Sequence, residues 1–280
     1  MIRGVAPAKI NLALHVTGQR EDGYHLLDSL VVFADVGDVI AVRPGALLAL
    51  DVAGPMSKGV PRGESNLIIR AARALDPEKG AEITLHKRLP VEAGLGGGSS
   101  DAACALRLLS ELWEVPIPDA VDRIGADVPV CLAQGAQRVR GIGEVLEAQT
   151  GLPELPAVLI NPGVAVPTPD VFAGLERRDN PGLEEPLPLL ADRDTLIDWL
   201  SRQRNDLEAP ALRIAPVITD ALEALSGARL ARMSGSGATC FGLYDTPDAA
   251  EIAALNIARD NPGWWVRAVL LNPEHHSVSI

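Results

Sequence analysis

The sequence predicts an α+β protein built from two modest domains. Three observations carry that reading. The chain has 280 residues, enough for two such units. Its first half joins segments of strand period to a glycine-rich loop and a helix. Its last third reads strand, strand, helix, strand, the order of helices layered on an antiparallel sheet. The break falls near Gly151-Leu152-Pro153, which divides the chain into 1–150 and 151–280.

Taken in order, residues 4–16 form a strand or strand pair, with Ala6, Ile10, Leu12, Leu14 and Val16 apolar. Lys9 and Asn11 share the opposite face. Residues 19–23 are a turn marked by Asp22-Gly23, and Tyr24-His25 follow directly. A strand over 30–36 is expected to turn as a hairpin through Gly37-Asp38 into a strand over 39–42. A further strand covers 47–52, and residues 54–63, rich in Gly, Pro and charge, are a loop. Glu64-Ser65-Asn66 leads into a helix over 67–75, with Ser65 or Asn66 as its cap.

Residues 82–89 alternate again, Ile83, Leu85 and Leu89 against Thr84, His86 and Arg88. Then come Gly94, Gly96, Gly97 and Gly98, followed by Ser99, Ser100 and Asp101. Apolar residues at 102, 106, 109 and 113 have a helix period, and Ser99, Ser100 or Asp101 is the expected cap. Strand, glycine loop and helix N-terminus together make an anion site of free amides and a positive dipole end. A turn alone needs one or two glycines, not four. No lysine follows the glycines, so the loop is not G-x-x-x-x-G-K-[ST]. Ser99 stands where the third glycine of G-x-G-x-x-G belongs.

Pro116-Ile117-Pro118 breaks the helix, and a short helix is expected over 119–124. Asp127 then lies in an apolar segment, where a carboxylate is costly to bury unpaired. Residues 138–143 read as a strand and turn, and 157–160 as a fresh strand. Thr168-Pro169-Asp170 starts a helix. Residues 177–186 are polar and proline-bearing, which predicts a mobile surface loop. Helices are expected over 194–202 and 216–225. The last third gives strands over 230–233, 240–244 and 264–271, a turn at Ser234-Gly235-Ser236-Gly237, and a helix over 248–259. The tail from Pro273, with His275-His276, reads as frayed.

Composition narrows the function. Aromatics are only 3%, so each one outside the core invites a binding role. The formal charge of −12 argues against nucleic-acid binding, which needs a basic face. Three scattered cysteines, Cys104, Cys131 and Cys240, form no C-x-x-C and point to a reducing, cytoplasmic setting without disulfides or zinc. Lys9 interrupts the N-terminal apolar run, so no signal peptide is evident, and no stretch approaches a membrane span.

Pro90-Val91-Glu92-Ala93-Gly94-Leu95-Gly96, then Gly97-Gly98, then Ser99-Ser100-Asp101-Ala102-Ala103 resembles the P-x-x-x-G-L-G-S-S-A-A signature of the GHMP small-molecule kinases. The extra glycine pair and the aspartate depart from the family-wide form. They are similar to one branch, whose substrate is 4-diphosphocytidyl-2-C-methyl-D-erythritol. Ala6-Pro7-Ala8-Lys9-Ile10-Asn11, Asp22-Gly23-Tyr24-His25, Glu64-Ser65-Asn66, Gly125-Ala126-Asp127-Val128-Pro129, Pro167-Thr168-Pro169, Asn205-Asp206-Leu207-Glu208 and Met233-Ser234-Gly235-Ser236-Gly237 resemble further blocks of that branch, in order.

The resemblance implies a GHMP-kinase two-domain α+β architecture. Its N-terminal domain is ribosomal-protein-S5-like α/β, and its C-terminal domain is ferredoxin-like α+β. It implies ATP-dependent phosphorylation of a hydroxyl of the cytidine-diphosphate-linked small molecule, with Mg²⁺ bridging the ATP phosphates. The product is the 2-phosphate of the non-mevalonate isoprenoid route. Pro90, Val91, Glu92, Ala93, Gly94, Leu95, Gly96, Gly97, Gly98, Ser99 and Ser100 would hold the phosphates, and Asn66 the adenine side. Asp127 would take or orient the hydroxyl proton, with Lys9 beside it stabilising transferred charge. Asn11 and Thr168 would meet the substrate. Tyr24 and Phe172 would sandwich the cytosine, and His25 would bond its edge. No protein metal ligand, nucleic acid or membrane is implied, and the assembly is a monomer or weak homodimer. The alternative within the family is a homoserine or sugar kinase. A nicotinamide-dependent oxidoreductase would need a βαβ repeat that is not evident. A non-catalytic nucleotide binder would not need both Lys9 and Asp127.

Overall fold

A computed structural model describes residues 1–273. The tail prediction at His275-His276 lies outside the described residues. The first sheet group is led by two long strands, β1 (Ile2–Gln19) and β2 (His25–Pro44), joined by the Asp22-Gly23 turn and paired antiparallel throughout. On the edge of β2 away from β1, β4 (Ala81–His86) pairs with residues 39–44 and carries β3 (Ala49–Ala53) beside it, while β5 (Gln137–Gly141) pairs with residues 27–31 and carries β6 (Val145–Ala148).

The expected hairpin at Gly37-Asp38 does not form, because β2 runs straight through it. The reason lies in packing. Gly37 pairs with Pro7 where β1 shifts register, and a Cβ at Gly37 would stand 2.3 Å from the carbonyl oxygen of Ala6. Here glycine permits close strand approach rather than a turn. Asp38 faces inward, fully buried.

Helix α1 (Leu67–Leu75) covers the residues the apolar period predicts, capped by Asn66. Helix α2 (Gly97–Trp113) begins earlier than its apolar period alone shows. Its N-cap is Gly96 and no side chain caps it, so neither the serines nor Asp101 takes that place. The expected helix over 119–124 shrinks to one 3₁₀ turn, Val121–Arg123. A short helix missed in the sequence, α3 (Val128–Ala133), follows Asp127 directly, with a proline in its first turn.

The second strand group is β7 (Leu155–Asn161), β8 (Leu230–Met233), β9 (Cys240–Leu243) and β10 (Trp265–Leu271), in the order β10-β7-β9-β8 and antiparallel. One pairing, Leu271 with Ala34, links it to β2. Its helices are α4 (Thr168–Ala173), α5 (Arg193–Ser201), α6 (Glu208–Ile214), α7 (Val217–Ala224) and α8 (Pro247–Asp260). The sequence reading left α6 out, since Pro210 hides its start.

Residues 177–186 are not loose. Asp28 accepts the Leu183 amide at 2.9 Å, and Arg138 donates to the carbonyls of Leu183 and Glu184. Arg138 meets Asp28 through two 2.9 Å bonds, so a buried bidentate ion pair pins the segment. All three cysteines are buried and free. No described helix is long and apolar enough to cross a membrane.

Candidate active site

The glycine loop leaves β4, crosses the middle of β1 at Lys9 and enters α2. Val91 and Glu92 are exposed, Pro90 is half-buried, and Ala93 and Leu95 are buried. Gly94 and Gly96 have φ of +70° and +60°, which a side chain disfavours. A Cβ at Gly96 would touch the Lys9 stem at 3.2 Å, so the loop lies directly over that lysine. The Lys9 amide donates to the Leu95 carbonyl at 2.9 Å. The first turn of α2, at Gly97, Gly98 and Ser99, has no side-chain cap and offers its amides at the positive end of a 17-residue helix. Ser99 is half-buried, with its hydroxyl oxygen 3.6 Å from where a Cβ of Gly125 would be. The Ser100 hydroxyl is buried and donates to the Pro7 carbonyl at 2.8 Å, tying α2 to β1.

Lys9 Nζ meets Asp127 Oδ2 at 2.7 Å. The pair is asymmetric in burial: the Lys9 side chain is 8% exposed and that of Asp127 41%. The carboxylate therefore opens to a ligand while the ammonium lies behind it. The Asp127 backbone is fixed by its carbonyl, which accepts the Cys131 amide at 3.1 Å inside α3.

Asn11 lies on β1 beside this pair. Its Nδ2 donates to Ser29 Oγ at 2.8 Å, and Ser29 Oγ donates to the Ala13 carbonyl at 2.6 Å. Asn11 Oδ1 is buried without a partner, which leaves one acceptor for a ligand. The Asn11 amide donates to Ser234 Oγ at 3.1 Å, and the Ser234 hydroxyl donates to the Gly94 carbonyl at 3.1 Å. Residues 234–237 thus join β1 to the glycine loop. Asn205, assigned no role in the sequence reading, holds that turn. Its Nδ2 donates to the carbonyls of Met233 and Gly235, each at 2.8 Å. Thr168 at the start of α4 shares a 2.8 Å hydrogen bond with Ser236.

Farther along the β1–β2 pair, His25 stacks on Phe172 with ring centroids 4.8 Å apart and planes 23° apart. Tyr24 stands outside this stack, 59% exposed. The structure therefore brings His25 to the Phe172 face and leaves Tyr24 at the rim. Burial, and then the charge of Arg178, lowers the His25 pKa from its ordinary 6.5. The ring is neutral at pH 7, and its buried Nε2 has no partner.

Asn66 has both ends of its side chain engaged. Oδ1 accepts from Ile68 at 2.8 Å and Nδ2 donates to Pro61 at 2.7 Å. Sequence reasoning missed a buried triad of ionisable side chains under the loop. Lys87 Nζ lies 2.5 Å from Asp38 Oδ2 and 2.7 Å from Asp101 Oδ2. Asp38 Oδ1 also accepts the Arg88 and Leu89 amides. Burial works against the Lys87 ammonium, but the Asp101 and Asp38 carboxylates outweigh it and raise its pKa. The only signal in the sequence was charge at 38, 87 and 101 amid apolar neighbours. Among the described residues no group of three or more His, Cys, Asp or Glu is placed to hold a metal.

Comparison with known proteins converges on one family. The family model for the GHMP kinases N terminal domain matches residues 66–135, and that for the GHMP kinases C terminal domain matches 172–262. A 4-diphosphocytidyl-2-C-methyl-D-erythritol kinase of Dinoroseobacter shibae is 56% identical over 273 residues, covering 96% of this chain and 95% of that one. One from Paracoccus denitrificans is 53% identical, covering 98% of each. A crystal structure of 4-(cytidine 5′-diphospho)-2C-methyl-D-erythritol kinase superposes with a TM-score of 0.79 at 36% identity, covering 97% of this chain and all of the other. A homoserine kinase from Cytophaga hutchinsonii shares the fold at a TM-score of 0.70 and 20% identity, covering 96% of this chain and 93% of that one.

Proposed function

We propose, for a chain that belongs to the GHMP kinase family, the transfer of the ATP γ-phosphoryl group to a hydroxyl of 4-diphosphocytidyl-2-C-methyl-D-erythritol. The products are its 2-phosphate and ADP, within the non-mevalonate route to isoprenoid precursors. The observation that carries the chemistry is the Lys9–Asp127 pair, 2.7 Å apart beneath the glycine loop.

Phosphoryl transfer needs positioning and charge stabilisation more than covalent chemistry. Amides of Gly94 to Ser99 bind the ATP phosphates. The fit rests on the uncapped first turn of α2, which keeps its donors for an anion. Mg²⁺, when bound, neutralises phosphate charge, and it is held mainly by phosphates and water, as this ion commonly is. Asp127, with its carboxylate open to the cleft, orients the acceptor hydroxyl and receives its proton. Lys9 stabilises the charge that develops on the transferred group. Asn11 Oδ1 accepts from a substrate hydroxyl, and Thr168 positions the linking part. The cytosine lies at the His25 and Phe172 rings, with Tyr24 closing over it from the rim. Ring stacking of this kind favours a cytidine-linked substrate over homoserine, which has no base. We place the enzyme in the cytoplasm, as a monomer or weak homodimer, with its halves at 1–150 and 151–280.

A coupled assay of ADP release tests the reading. The cytidine-linked substrate should be turned over, while homoserine and the uridine-linked analogue should give little. Equal turnover of homoserine would assign the chain to another branch.

A further inference from the structure

We propose that Asp101 is a positioning residue of the ATP site, and that ATP binds there with uptake of a proton held on the Asp101 carboxyl. This rests on the ATP site proposed above.

A floor of charged groups lies beneath the first turn of α2. A Cβ at Gly97 would stand 3.2 Å from Lys87 Nζ and 4.0 Å from Asp38 Oδ2. Both groups therefore sit directly under the amides that face a phosphate. Asp101 follows Gly97 by one helical turn, on the same face, and its Oδ2 meets Lys87 Nζ at 2.7 Å. All three side chains are 5% exposed or less.

Two carboxylates share one ammonium in this space. With both ionised, the floor carries an uncompensated buried negative charge below an anion site, which is costly. One proton removes it. The hydrogen bonds decide which carboxyl takes that proton. Asp38 accepts from Lys87 and from the Arg88 and Leu89 amides. Among the described residues the Asp101 side chain accepts from Lys87 alone, and its Oδ1 is buried without a partner. The carboxyl with fewer donors is the easier one to protonate. Burial raises the Asp101 pKa to about 8, against the pull of Lys87 and with the push of Asp38.

Other groups face Asp101 from the elements around it. α2 itself brings Cys104 and Arg107, α3 brings Cys131, and β1 brings Lys9, paired with Asp127. α1 turns Arg70 and Arg73 outward, where both are exposed. Burial pushes both thiols up, Cys104 to about 11, so they stay neutral near pH 8.

Bound ATP sets further negative charge above the floor and favours the protonated Asp101. By reciprocity, the proton favours ATP. Below about pH 8 the empty site already holds the proton, and affinity should be flat. Above it the proton has left, and ATP must recapture one.

The test is calorimetric binding of ATP with Mg²⁺ to wild type and Asp101→Asn, at about pH 7 and about pH 9.5, in buffers of different ionisation enthalpy. Wild type should bind roughly tenfold more weakly at the higher pH, the cost of one partly screened charge near a bound phosphate. It should also take up a fraction of a proton on binding near pH 8. Asp101→Asn fills the same space, keeps an acceptor for Lys87 and cannot titrate. Its ATP affinity should be equal at both pH values, with no proton taken up through this group. If the variant does not fold, the buffer dependence of wild type alone decides. Equal affinity at both pH values without proton uptake in wild type would overturn the proposal and leave the ATP site standing. The same fall with pH in the variant would assign the proton to another group and overturn it too. If wild type binds ATP at neither pH, the ATP site fails with it.

Discussion

Lys9 in isolation is an ordinary strand lysine, and Asp127 an ordinary turn aspartate. What makes them a site is their meeting at 2.7 Å across 118 residues of chain. No local pattern could show that contact, but the motifs around each residue could. Asp127→Asn keeps the volume of the side chain and loses its proton-accepting carboxylate. Turnover should fall by ~10²–10⁴-fold, the usual cost of removing a general base. ATP affinity should hold, because the phosphate amides come from another segment. Steady-state kinetics and nucleotide binding on the purified variant check both halves, and near-normal turnover would remove Asp127 from the chemistry. The residue scale also shows where sequence reading stops. Ser100 and Asn66 lie in the expected places, yet their side chains serve backbone partners in this structure. Hydroxyls and amides are versatile, and only packing decides which partner they take.

At the scale of elements, period carried α1, α2, β4 and the last three strands. It failed where glycine and aspartate have other uses. Gly37-Asp38 reads as a turn, but Gly37 serves close strand contact and Asp38 anchors Lys87. The same triad joins β2, the end of β4 and α2, and it makes a prediction about pH. Burial drives the Asp101 carboxyl from 3.8 up to about 8, with Lys87 pulling it down and Asp38 pushing it up. The folded chain then keeps a proton that the unfolded chain releases near 3.8. Its stabilising contribution is full below the unfolded value and is lost as pH rises toward 8. Asp101→Asn keeps the shape and cannot titrate. Thermal unfolding from about pH 5 to about pH 9 should show wild type losing stability relative to the variant, by up to roughly 1 kcal/mol per pH unit. Parallel curves would mean that Asp101 carries no such proton.

The whole molecule is held together at the same place where it works. The two sequence halves share one core, in which Ile10, Leu30 and Leu95 pack with Leu159, Trp199 and Leu271. Leu14 exchanges backbone hydrogen bonds with Arg204 and Asp206, so residues 204–206 dock on β1. The sequence showed two units but not this shared core, because apolar residues declare burial and not their partners. Gly94 is a tight point of contact between the halves. A Cβ there would stand 2.3 Å from the Ser234 carbonyl oxygen and 2.9 Å from the Gly237 amide. Those neighbours are backbone and cannot rotate aside, and the φ of +70° strains any L side chain. Gly94→Ala should therefore push the 234–237 turn off the glycine loop. That turn supports Asn11 through Ser234 and Thr168 through Ser236, while the loop serves ATP. The variant should lose affinity for both ligands together, with about 1–3 kcal/mol of stability lost from the backbone strain alone. Binding of ATP and of the cytidine-linked substrate, with a melting curve, gives the answer. If ATP binding weakens while the other ligand and the melting temperature hold, the loop is a local phosphate cradle and the halves are not coupled through Gly94.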